Sequence, residues 1–186
     1  MPLTHPFHRL SASTQRRVLP PLIVATLALT AVLQVIGRPL QTAAAPLGIV
    51  SFELAGSLAA AQGMLASWNP NAQLHAAFSL GLDYLYMPLY AVTIALACGR
   101  AAATSLRTPQ AAAALGILLA WGLGLAALLD AVENAALWQV LQGSTAAAWP
   151  VVARWAAIVK FILVSAGLFY AGTAVVVYLL RKAQGY

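Results

Sequence analysis

The chain has 186 residues, of which 62% are hydrophobic and 8% charged, with a formal net charge of +6. A soluble domain carries roughly a quarter charged residues, so this composition cannot cover a water-facing surface, and the scattered Lys and Arg form no dense face for nucleic acid. With a single cysteine, Cys98, an internal disulfide and a Cys-based zinc site are both excluded.

A spanning helix needs roughly 20 mostly apolar residues, and four stretches meet that requirement. The first runs over about 18–37, after a basic tail over 1–17 that holds Arg9, Arg16 and Arg17. Pro20 and Pro21 fall early in it, and Gly37, Arg38 and Pro39 stop it. Arg16-Arg17, the apolar run and Ala43-Ala44-Ala45 together resemble a secretory signal; the reading preferred is an uncleaved anchor. Residues 48–68 are moderately apolar and include Glu53, Ser57 and Gln62, which suits an interfacial helix lying on, or tucked into, the outer surface.

The second span covers about 75–99 and contains Pro88, which predicts a kink. After a connection with Arg100 and Arg107, the third covers about 110–141. The fourth covers about 150–180, with Pro150 in a first turn where its missing N–H costs little, before a tail over 181–186 with Arg181 and Lys182. The expected fold is therefore an all-α integral membrane four-helix bundle, one domain over 18–180, with an additional interfacial helix on the periplasmic side. Basic residues favour the cytoplasm, so both termini are expected there.

All four acids, Glu53, Asp83, Asp130 and Glu133, lie away from the basic segments. An acidic group in or beside an apolar span is costly and points to function by default. A helix rises about 1.5 Å per residue. Counted from the cytoplasmic ends, this brings Arg38, Asp83, Asp130, Glu133 and Lys160 to one layer near the outer edge of the hydrocarbon, with Glu53 above and Arg154 slightly beyond. Trp68, Trp138, Trp149 and Trp155 gather at the same end, as an interfacial belt would. On the second span His75, Ser79, Asp83, Tyr86 and Tyr90 follow helical spacing and make one polar stripe. Gly122, Ala126, Asp130 and Asn134 on the third span, and Ala153, Ala157, Lys160, Val164, Gly167 and Ala171 on the fourth, form stripes of small residues that let helices approach closely.

Glu53, Asp83, Asp130, Glu133, Asn134 and Lys160 are thus the candidate polar cluster, and His75, Ser79, Tyr86 and Tyr90 the candidate pocket lining. Three functions fit. The cluster binds a membrane lipid, an amphipathic small molecule or a cation. Or it works as a membrane-embedded enzyme, one carboxyl as acid and one as base, with Lys160 stabilising an anion. Or its ion pairs only fix helix register in a structural subunit. Carboxylate-bridged metal bundles repeat Glu-x-x-His on two helices; that repeat is missing here, so neither a metal nor another cofactor is expected. The small-residue stripes would suit helix partners from another subunit equally well, so a homo-oligomer or a larger membrane complex also fits. Tyr84 reads as a packing or interface residue, Cys98 as a small buried one, and His5 and His8 as part of a mobile tail.

The segments Phe52-Glu53-Leu54-Ala55, Leu82-Asp83-Tyr84-Leu85-Tyr86 and Leu129-Asp130-Ala131-Val132-Glu133-Asn134, followed by Lys160, resemble a loosely defined group of uncharacterised bacterial four-span integral membrane proteins over about residues 48–165. The resemblance implies that these four stations belong together and that the membrane is the bacterial inner membrane. It implies no activity.

Overall fold

A computed structural model describes residues 4–104 and 110–184. Every regular element among the described residues is a helix: α1 (Ala12–Gly37), a 3-10 turn (Arg38–Leu40), α2 (Ile49–Glu53), α3 (Leu58–Ser67), α4 (Pro70–Thr104), α5 (Gln110–Leu141) and α6 (Ala148–Ala183). Four of these helices, α1, α4, α5 and α6, are long and apolar enough to cross a membrane, which makes this a multi-pass membrane protein. Arg107 and Pro109 lie outside the described residues.

Each boundary has a local cause. Ser11 caps α1 by accepting the Thr14 amide at 3.1 Å, so the helix starts at Ala12. Pro20 and Pro21 therefore lie inside α1 rather than in its opening turn, where they leave the carbonyls of Arg16 and Arg17 without helical amides. Asn69 caps α4 through the Ala72 amide at 2.8 Å. Pro88 sits within α4, whose helical assignment runs on past it. Pro150 occupies the first turn of α6, where the sequence places it.

The expected single helix over 48–68 is two helices instead. Gly56, at φ +68, breaks it, and the Arg154 side chain fills the space a Cβ would take there. Ser57 then restarts the chain by accepting the Ala60 amide at 3.2 Å. The pair is tucked in, with Phe52 and Ala61 buried. Trp68 follows them and belongs to the core, not to an exposed belt. Its Nε1 donates to the Leu40 carbonyl at 2.8 Å, and its ring meets Phe52 edge-on at 5.3 Å. Trp138 and Trp155 are exposed, as a belt requires.

Successive long helices run antiparallel. Thr26 and Thr93 hydroxyls meet at 2.9 Å and Thr30 donates to Tyr86 at 2.9 Å, pairing rising α1 with descending α4. Asn134 on α5 donates to Asp83 on α4, and Lys160 on α6 reaches Asp130 on α5. The described chain therefore begins and finishes at the same end of the bundle. Helix α5 is gripped between α4 and α6, while α1 docks on α4 and barely touches α6. Small residues allow the grip: a Cβ on Gly167 would come within 2.9 Å of Leu123 and 3.0 Å of Ile94.

Two apolar cores result. One, at the end covered by α2 and α3, packs Leu40, Phe52, Trp68, Leu80, Leu137 and Val140. The other packs Met87, Ile94, Cys98, Ala120, Leu123 and Ala126. Residues 4–10 are not a free tail, because they close this second end. Phe7 packs on its core, the Trp121 indole donates to the Thr4 carbonyl at 3.0 Å, and His5 lies over Gly99. Gln15, buried, donates to the carbonyls of Phe7 and Leu10 and holds the turn.

Candidate functional site

Between the two cores lies a polar layer. Its depth follows from the helix rise: Asp83 is about 20 Å from the start of α4, Asp130 about 16 Å from the end of α5, and Lys160 about 18 Å from the start of α6. Three antiparallel helices thus bring ionisable groups to a common height, about a third of the way in from the covered end.

Lys160 is the hub. Its ammonium lies 2.9 Å from Asp130 Oδ1, 2.8 Å from Glu133 Oε2 and 3.8 Å from Glu53 Oε2. Asp130 accepts a second hydrogen bond from the Tyr90 hydroxyl at 2.8 Å. Asp83 accepts one from Asn134 Nδ2 at 2.7 Å. The carboxyls also neighbour each other, Glu53 beside Glu133 and Asp83 beside Asp130. Glu53 Oε2 and both Glu133 oxygens are buried and accept no well-directed hydrogen bond. Burial away from water pushes the Glu53 carboxyl above its ordinary range; the nearby ammonium opposes this and the Asp130 carboxyl adds to it.

The candidate cluster of Glu53, Asp83, Asp130, Glu133, Asn134 and Lys160 is thus one contiguous group, with Tyr90 attached. Helix α2 supplies Glu53 as a roof: Phe52 anchors it in the core, and the helix ends at Glu53 itself. Neither Arg38 nor Arg154 joins the layer. Among the described residues the acids form ion pairs only with Lys160, while Arg154 is taken up against Gly56. His75 does not line the pocket, since its Nδ1 is 3.0 Å from the Ile36 carbonyl and ties α4 to the end of α1. Tyr84 is half exposed on the outside, 3.3 Å from the Ala131 carbonyl. No three His, Cys, Asp or Glu side chains among the described residues converge as metal ligands.

Beside the layer runs a groove of about 1420 Å³. Its walls are α1 and α6, and its floor is α4, because α1 docks on α4 and leaves α6 standing apart. Leu27, Leu33, Val164, Leu168 and Val175 make it mainly apolar. Glu53, Asp83, Asp130, Asn134 and Lys160 open into it towards one end, and Arg16 and Arg100 lie towards the other. Ser79, Tyr86 and Tyr90 line it. Sequence reasoning did not find the α1 wall, notably Thr26, Thr30 and Gln34, because a span apolar on nearly all sides gives no sign of which face looks inward.

Comparison with protein-family models, with curated proteins and with solved structures finds no match. Four membrane-length helices agree with the resemblance to four-span membrane proteins, and no family match accompanies it.

Proposed function

We propose that this chain is a multi-pass protein of the bacterial inner membrane, with both termini cytoplasmic, that binds a single-chain amphipathic molecule. The hydrocarbon tail lies in the groove between α1 and α6, and the polar head reaches the Glu53–Asp83–Asp130–Lys160 cluster. One observation carries this reading: a long apolar groove has its carboxyls and Lys160 gathered at one place along its length. Ligand sites are commonly apolar clefts in which a few convergent polar groups fix orientation. Inside the span a tail gains van der Waals packing against the groove walls rather than release from water, so the driving force scales with tail length.

The test is a dansyl-labelled single-chain lipid titrated into the detergent-purified protein. Blue-shifted emission that unlabelled lipid competes away is expected. Gly172 lines the groove, and a Cβ there would meet nothing within 4 Å. The Gly172→Trp substitution should therefore fill the groove without disturbing the core, weakening long-tailed probes at least about tenfold and sparing short ones. Unchanged affinity for every tail length would remove the proposal.

A further inference from the structure

The charge balance of the cluster says which head group fits, provided the groove binds an amphiphile at all. Four carboxyls meet there and one ammonium, so with all ionised the formal charge is 1 − 4 = −3. Buried charge persists only when paired. Among the described residues, the elements packed around the cluster bring no further cation to it: α2 gives Glu53; α4 gives Asp83 and Tyr90; α5 gives Asp130, Glu133 and Asn134; α6 gives Lys160. Helix α1 carries Arg16 at the far end of the groove, where Arg100 of α4 also lies, and Arg154 packs over Gly56. The described residues therefore leave the missing positive charge to protons or to a ligand cation.

The geometry accommodates both in turn. Two carboxyls facing each other make a hydrogen bond only when one holds a proton. The neighbouring pairs, Glu53 with Glu133 and Asp83 with Asp130, are where such a shared proton would sit. Glu133 is fully buried, and neither of its oxygens accepts a well-directed hydrogen bond. Raised protonation of Glu53 through burial agrees with this. Aromatic rings stand beside the carboxyls on the groove wall: Tyr86 and Tyr90 with centroids 5.2 Å apart, and Phe161 with its centroid 4.8 Å from the Lys160 ammonium. Carboxylates backed by aromatic faces are the surroundings that an organic ammonium selects. An anionic head would meet four acids and a lysine already occupied by three of them. A bare metal ion would lack a converging ligand set among the described residues.

We propose that the groove takes a single-chain amphiphile with an ammonium head, and that each molecule bound as the cation displaces one proton from the carboxyl cluster to water. The balance is simple: the protonated cluster plus the ammonium gives the cluster–ammonium pair plus a proton, with no covalent bond to carbon made or broken.

The experiment uses the full chain in a neutral detergent and three probes with one tail: dodecyltrimethylammonium, whose charge does not titrate, dodecanol and dodecyl sulfate. Affinities are read by displacement of the dansyl lipid at about pH 6 and about pH 8. Release of one proton tightens cation binding about tenfold per pH unit, while the alcohol should bind more weakly and without pH dependence. Asp83→Asn leaves an acceptor for Asn134 and should cut cation affinity at least about tenfold, sparing the alcohol. Cation and alcohol binding alike at both pH values would leave the groove standing and overturn the ammonium inference. A cation affinity flat with pH would overturn the proton exchange. Failure of all three probes would remove the groove reading and this inference together.

Discussion

Removing Lys160 tests whether the polar layer is held by its single cation. In Lys160→Met the carboxyls of Asp130 and Glu133 lose an ammonium at 2.9 and 2.8 Å, and Glu53 loses one at 3.8 Å. Only 8% of the lysine side chain is exposed, and 3% and 0% of its two nearest partners, so water does not replace it. Breaking a buried ion pair from one side costs about 3–5 kcal/mol. At about 2–4 °C per kcal/mol for a chain of this size, the melting temperature should fall on the order of 10 °C at about pH 8. At about pH 5 the loss should shrink, because a protonated carboxyl needs no counter-ion. A second substitution sharpens the reading: Lys160→Met with Glu133→Gln removes one stranded carboxylate and should recover part of the loss, so the two changes are non-additive. The measurement is thermal unfolding in detergent followed by intrinsic fluorescence. A melting temperature within about 2 °C of the parent at about pH 8, or a loss equal at both pH values, would refute the argument.

Two further outcomes depend on groups outside the spans. The folded chain binds a proton at Glu53 more tightly than the unfolded chain, whose carboxyl titrates near 4.5. Its contribution to stability is therefore greatest below that value and is lost as pH rises through the folded-state value; Glu53→Gln should flatten this part of a stability–pH curve measured by denaturant unfolding and make the variant relatively more stable in alkali. Burial, with His8 adding to it, holds the His5 imidazole below its ordinary value of 6.5, so the neutral ring favours the closed N-terminal segment. That preference is present above pH 6.5 and fades as pH falls towards the folded-state value; the fluorine NMR shift of a fluorotryptophan at position 121 should move over this range and stay fixed in His5→Gln.

The four spans were legible because each is a long apolar run with punctuation at its ends, and length is what a membrane demands. The common height of Asp83, Asp130 and Lys160 was legible for a related reason: helices of fixed rise, counted from basic ends, place residues in depth with few free parameters. The break at Gly56 escaped, because residues 48–68 do not show that Arg154, about a hundred residues on, needs the volume a side chain would fill. Trp68 was misplaced for the same kind of reason. An indole suits an interface or a core equally, and the Leu40 carbonyl that settles the matter comes from a turn 28 residues away. The closure of residues 4–10 over the bundle end also lay beyond local reading, since it depends on Trp121 and Gly99 arriving from two other helices.

The economy of the layer bears on whether it is only a staple. One lysine and one acid would fix the register of α5 against α6, and a well-packed apolar pair of similar volume would often do so at no cost or with a gain. This chain instead commits three of its four acids to one lysine, sets the fourth, Asp83, against Asn134 in the same layer, leaves buried oxygens of Glu53 and Glu133 without a well-directed hydrogen bond, and places the cluster beside an open apolar groove. Each carboxyl beyond the first adds desolvation cost that the shared ammonium does not fully offset. Such an arrangement is explained when a partner entering the groove supplies the balancing charge, and the contrast between Lys160→Met and Asp83→Asn exposes the difference. A staple loses stability in proportion to the contacts removed, whereas a binding site loses cation affinity at Asp83 while the fold, still held by Lys160, remains.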